Sequence, residues 1–253
     1  MKKLNITAAV LSAAASTAGI FSNIYTDIPW AVSQMKGQDA VTIFAAAVLI
    51  IVSLRKGPKA VVISAGINAY LIYTYFFYAI ETLLNPFFHA YLAIVLLSLI
   101  ALIKSVSNLK KLKYSEVKTI PKTFSVIYLS AIASVLAFLW NADIFATLAG
   151  SPILETPTAQ PLTIVYVFDL TFVIPAVVYT LYLLKKNKAF GIPLCGIMLV
   201  KCTTMGAALL GMTIGVWFYG FELEGFLAVF WCLIAILGLI SITLFLKGSR
   251  IHE

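Results

Sequence analysis

Charge is what this sequence has least of. Only 11% of its 253 residues are Asp, Glu, Lys or Arg, against about 25% in an ordinary soluble domain. A globular surface cannot be built from so few charges, so a soluble enzyme and a disordered chain are both excluded. Cysteine is scarce as well. Cys195, Cys202 and Cys232 all lie inside apolar runs, with no CxxC and no histidine spacing suited to zinc. They read as buried thiols acting as small hydrophobes. Polar–apolar alternation is missing too, which excludes a transmembrane barrel. There is no HExxH, no GxSxG, no P-loop, no Asp-rich pair for Mg²⁺-diphosphate and no deep histidine pair for haem. These absences weigh against an enzyme without closing that alternative, and no cofactor is expected.

What the chain has is hydrophobe, at 62%. Apolar windows fall at 5–23, 39–54, 59–80, 87–104, 123–142, 162–184, 189–217 and 225–246. Spans of about 20 residues suffice to cross a bilayer. The second window is short, and it can be completed outward through Gln38 or inward to Arg55, giving 38–55. The third and fourth are separated only by a tight hairpin centred on Asn85-Pro86. The prediction is an all-α, polytopic transmembrane bundle of eight spans forming a single domain over 1–253.

Orientation follows from lysine and arginine. With eight spans, 16 of the 18 basic residues fall on one side, leaving Lys36 opposite and Lys201 within the membrane. Asp27, Asp39, Glu81, Asp143, Glu155, Glu222 and Glu224 show the reverse bias. Both termini are therefore expected in the cytoplasm, with the protein in the plasma (inner) membrane. The net charge of +8 is then an orientation signal that also favours anionic lipid headgroups at the cytoplasmic face, not nucleic acid. The basic loop from Lys104 to Lys122 could lie on that surface as a short amphipathic segment. Met1-Lys-Lys before an Ala-rich run also fits a signal peptide, cut near Ala13-Ala14-Ala15. Interfacial Tyr25 and Trp30 favour a retained first helix. No repeat is visible between the halves, which weakens an inverted-repeat transporter reading.

Charges inside a bilayer are costly, so they are the first functional candidates. Asp169 in the sixth span and Lys201 in the seventh fall at nearly the same depth on adjacent antiparallel helices. Lys201, Thr204, Ala208, Gly211 and Gly215 share one face, whose small residues admit a neighbouring helix. Pro175 removes a hydrogen bond one turn after Thr171 and predicts a break beside Asp169. The third span carries Asn68, Tyr70, Tyr73, Tyr75 and Tyr78 towards Glu81, with Asn85 and His89 beyond. Tyrosine hydroxyls deep in hydrocarbon need partners. Asn68, Tyr70, Tyr75 and Asn85 could therefore line an outward cavity with Glu81 and Asp39 at its mouth. An aromatic belt with ordinary core packing is the competing reading, as is a register-fixing pair for Asp169 and Lys201. A retinal Schiff base on Lys201 has less support.

Several of these residues also carry a resemblance. Gly37-Gln38-Asp39, the Tyr-rich third helix with Asn85 and Phe88, Trp140, Phe168-Asp169-Leu170 with Pro175, Gly191 and Leu199-Val200-Lys201 together resemble a group of uncharacterised bacterial polytopic membrane proteins. The likeness spans nearly the whole chain, first helix included, and so argues against a cleaved signal. It implies that Gln38, Asp39, Asn85, Asp169, Pro175 and Lys201 belong to the group's pattern, and implies no activity.

The expected function is handling or sensing of a small solute or ion through a polar centre on helices three, six and seven, with a possible small-molecule ligand. The alternatives are an intramembrane enzyme acting on a lipid or quinone, and a scaffold whose buried pair is purely structural. The charge pattern yields the first prediction. Cysteine labelling should place Ser107 inside and Thr158 outside; labelling of both from the same side would exclude eight spans.

Overall fold

The computed structural model describes residues 1–111, 113–114, 117–151, 163–223, 225–249 and 251–252. Glu155, Thr158, Glu224 and Arg250 lie outside the described residues. Eight helices among the described residues are long and apolar enough to cross a membrane. They are α1 (Lys2–Phe21), α2 (Pro29–Ser53), α3 (Pro58–Glu81), α4 (Phe88–Leu109), α5 (Thr119–Leu148), α6 (Thr163–Lys185), α7 (Gly191–Phe218) and α8 (Gly225–Gly248). A two-residue antiparallel pairing, Lys113–Tyr114 with Ile251–His252, ties the α4–α5 loop to the C-terminal tail. That loop holds no separate amphipathic helix among its described residues, because α4 itself continues to Leu109 and α5 begins at Thr119.

The second helix is not short. It begins at Pro29, a residue suited to a first helical turn, and runs for 25 residues. Its polar start stays helical because Ser33, Met35, Gln38, Asp39 and Thr42 form a buried stripe at helical spacing. The same logic shapes α1, whose buried face of Asn5, Ala8, Ala9, Ser12, Ala15, Ser16 and Gly19 is built from small and polar residues. At the α2–α3 turn, Gly57 takes a positive φ of 102° that Pro58 follows directly into α3.

Each half is a ring of four helices that uses the same neighbours. In the first, α1 packs on α2 and α4, and α3 packs on α2 and α4. In the second, α5 packs on α6 and α8, and α7 packs on α6 and α8. Four helices per half is an even number, so corresponding helices run the same way. The relation is a parallel likeness, which the sequence does not reveal, and not an inverted one. The central helices are α3 and α7, each 61% buried along its apolar core, against 28–39% for the others.

The halves join mainly where α7 meets α2 and α3. A Cβ on Gly37 would fall on the carbonyl of Gly211, and one on Gly211 would lie 2.6 Å from the carbonyl of Gly37. The two backbones touch, as the small-residue face of α7 leads one to expect. By contrast, α6 meets α3 mainly along its first turns. Among the described residues, Arg55, Lys56, Lys59, Lys110, Lys111, Lys118, Lys185, Lys186, Lys188 and Lys247 gather at the helix ends that share a face with the N-terminus. Lys36 lies towards the opposite face, 5.2 Å from the centre of the Tyr219 ring.

Overpacking such a crossing costs about 1–3 kcal/mol. Gly37→Val should therefore lower thermal stability in detergent by that order or more. Gly225→Ala, with nothing within 4 Å of its added methyl, serves as the control and should leave stability unchanged.

Candidate functional site

The first half pairs many of its polar groups with one another, though Asn68 Oδ1, the Tyr91 hydroxyl and Ser98 Oγ are buried without a hydrogen-bond partner among the described residues. Tyr25 donates to Asp39 Oδ2 at 2.7 Å, and Tyr78 donates to Asp39 Oδ1 at 3.3 Å and to the Met35 carbonyl at 3.1 Å. Tyr25 lies on the loop before α2, where burial and the neighbouring Asp39 carboxylate push its pKa up and keep it a donor. Ser16 and Tyr75 share a bond at 3.1 Å, and Tyr75 lies 2.9 Å from the Ser12 carbonyl. Thr42 meets Tyr70 at 2.7 Å, and Asn68 donates to Asn5 at 3.0 Å and to the Ser64 carbonyl at 2.7 Å. Asp39, Tyr70, Tyr75 and Asn68 are thus brought together in a sealed interior, each at 0% exposure.

Glu81 and Asn85 stand apart from it. Glu81 is exposed at the end of α3, so it shares no mouth with buried Asp39. Asn85 shapes the hairpin, its Oδ1 accepting the Phe87 N–H at 2.9 Å and its amide donating to the Leu83 carbonyl at 3.3 Å. His89 is exposed.

The second half is arranged differently. A cavity of about 790 Å³ is lined by residues of α2, α3, α5, α6, α7 and α8, and it contains both Asp169 and Lys201. The break before Pro175 is present, as a π-type turn over Asp169–Val173 in which the Ile174 N–H reaches the Asp169 carbonyl. Such turns insert a residue and re-aim the side chains around them. Here the turn starts at Asp169 and sits against the cavity. The Asp169 carboxylate accepts the Trp140 indole N–H at 2.8 Å, and one turn away Tyr166 donates to Asp143. These two rungs hold α5 against α6, and the Trp140 and Tyr166 rings pack 5.5 Å apart.

Lys201 is only 6% exposed, with its ammonium 4.6 Å from the centre of the Tyr73 ring. That is cation–π distance. Among the described residues the Lys201 ammonium makes no hydrogen bond, and no carboxylate lies within 4.0 Å of it. Asp169 and Lys201 thus share a cavity without forming the direct ion pair that their matched depths make easy. Tyr73 packs against Phe168 at 5.6 Å and touches both charges, its ring under the Lys201 ammonium and its hydroxyl interacting with the Asp169 carboxylate. Gln38 links the halves: it lines the cavity and donates to Thr74 of α3 at 3.1 Å.

Pattern alone singled out Asp169, Lys201 and the α6 break. It did not assign Trp140 and Tyr73 as the partners of those charges, nor α5 and α8 as the apolar walls. Aromatic residues on apolar helices look like core or belt until their neighbours are known. No protein-family model matches the chain, and neither a curated protein nor a solved structure matches it.

Removing a hydrogen bond to a charged group costs about 1.5–3 kcal/mol. Trp140→Phe, which deletes the indole donor and keeps an aromatic ring, should lower thermal stability by about that amount. Asp169→Asn, which keeps an acceptor for the indole, should cost less. The reverse order of the two melting temperatures would show that the indole does not hold the carboxylate.

Proposed function

We propose that this is a multi-pass plasma-membrane protein, with both termini cytoplasmic, that binds a small molecule within the bilayer at Asp169 and Lys201. The single observation that carries the reading is the cavity of about 790 Å³ lined by two opposite charges that act on each other without a direct ion pair. A scaffold would close its interior and pair its charges, as the first half does around Asp39. A charge in hydrocarbon is tolerated when it faces protein, a partner or water, and here both charges face the same space. Binding sites have this composition: largely apolar walls with a few converging polar groups.

The basic face supports the cytoplasmic assignment and an affinity for anionic headgroups there. An intramembrane enzyme is the second reading. It is favoured by the cavity wall along α5 and α8, which stays open towards lipid beside an acid and an amine.

The test is chemical access. Leu209→Cys, which places a thiol on the cavity wall, should react with a small water-soluble methanethiosulfonate in a background lacking the three native cysteines. Ala46→Cys, in the sealed first half at 0% exposure, should not. An unreactive Leu209→Cys in delipidated, detergent-solubilised protein, where no acyl chain shields the thiol, would end the binding reading.

A further inference from the structure

Three features of the cavity bear on what it holds. The first is the way its wall opens. α5 and α8 meet towards the face that carries the termini, where Ser125 and Ser241 lie 3.1 Å apart and Tyr128 donates to the Ile234 carbonyl at 3.1 Å. A Cβ on Gly248 would lie 2.7 Å from Pro121, at the same end. Beyond that seam, Val135 and Leu136 of α5 and Phe230 and Leu233 of α8 line the cavity. Ile127, Val135, Leu233 and Leu237 line it and yet remain 62%, 40%, 52% and 41% exposed. The protein does not seal that side, and lipid chains are what surrounds it.

The second feature is length. The α5 wall runs from Phe124 to Trp140, about 24 Å at 1.5 Å per residue. That is most of the thickness of a bilayer core, about 30 Å. A site for a compact solute needs no such apolar wall; an acyl chain does.

The third is the pair of charges. Asp169 is held to one side by the Trp140 indole, and Lys201 is held by the face of Tyr73. An anionic ligand would meet Lys201 but face the Asp169 carboxylate, and a cationic one would meet the reverse. Asp169 and Lys201 act on each other across the cavity, and a ligand of one sign would offset one of them while repelling the other. A head carrying both an ammonium and an anionic group satisfies the two together.

We propose that the ligand is a zwitterionic amphiphile of the phosphoethanolamine type. Its ammonium lies at Asp169, its phosphate at Lys201, and its chain along the α5–α8 wall, reached sideways from the bilayer. The proposal rests on the cavity being a binding site, and it adds the class of ligand.

The experiment compares lysophosphatidylethanolamine with lysophosphatidylglycerol of the same acyl chain, bound to the full-length protein in neutral detergent. The ethanolamine lipid should bind about tenfold tighter, the worth of one charge-assisted hydrogen bond. Asp169→Asn should erase that preference. Lys201→Gln should weaken both lipids about tenfold, and Lys201→Arg should restore binding, which separates loss of charge from loss of fold. Phosphoethanolamine without a chain should compete poorly; if it competes as well as the lipid, the ligand is a free zwitterion and the amphiphile is excluded. Equal binding of the two lipids to the wild type, or a preference that survives Asp169→Asn, overturns the proposal. If the groove-filling Leu136→Trp then still displaces both lipids, the cavity stands as a site and only the head-group assignment fails. If neither lipid binds and Leu209→Cys is unreactive, the cavity reading itself has failed.

Discussion

Backbone meets backbone where α2 crosses α7, because Gly37 and Gly211 leave no side chain between them. Close contact of this kind is how membrane helices gain dispersion energy where no hydrophobic drive is available. The crossing also sets positions elsewhere. Gln38 follows Gly37 directly, so it lands at the boundary between the halves, with its amide on Thr74 and its side in the cavity. Lys201 lies ten residues from Gly211 on the same helix, about 15 Å along the axis, and is carried beside Tyr73 of α3. On the other side the approach is looser: α6 touches α3 mainly through its first turns. One tight seam and one loose one leave room between the halves.

The two membrane aspartates show the consequence. Asp39 has tyrosine hydroxyls on both carboxylate oxygens and no exposure at all. Hydrocarbon supplies no solvent for the cost of a buried polar group, so protein partners must offset it. The tyrosines of α3 do so along the whole first half, which is why so many phenols sit on one helix. Asp169 has one indole hydrogen bond, with the Tyr73 hydroxyl and the Lys201 charge also acting on it, a π-type turn beside it and an open space in front. The difference lies in the surroundings, since both residues are lone carboxylates in apolar helices. It is the second environment, not the presence of an intramembrane acid, that points to a ligand.

How much of this was legible in the sequence depends on the range of the interaction. Hydropathy acts over one helix length, so the eight helices and the gathering of basic residues at one set of ends follow from pattern. The α6 break was legible because Pro175 acts within one turn. That Asp169 and Lys201 come to one region needed only the rise per residue and a short connection. What pattern does not encode is lateral: which helix faces which across a seam. Tyr70, Tyr75 and Asn68 belong with Asp39 in the sealed half, and Tyr73, from the same helix, belongs with Lys201. A shift of one helical position decides between them. The length of α2 was hidden for the opposite reason, since its polar first turns are stabilised by α7 and look like loop when read alone.

The α8 helix carries the argument furthest. It is the most apolar of the eight, with a mean hydropathy of 2.7 over its core, and only 28% of that core is buried. A helix apolar on all sides has no preferred face in lipid, so its position depends on the few polar or close contacts it can make. Those described towards α5 are Ser241 with Ser125, the Ile234 carbonyl with Tyr128, and Gly248 against Pro121. With Gly238, whose added Cβ would lie 2.5 Å from the Tyr128 hydroxyl, they run from mid-helix at Ile234 to the Gly248 end. From Leu233 to Leu227 α8 faces α5 through apolar side chains across the cavity, and dispersion between such chains and lipid tails differs little from dispersion between the chains themselves. No hydrogen bond between α5 and α8 among the described residues of that stretch fixes the width of the opening. The polar groups fix one end of the α5–α8 wall, and an acyl chain lying along it replaces lipid contacts with protein contacts of the same kind. The energetic distinction between occupants is then left to the two charges at Asp169 and Lys201.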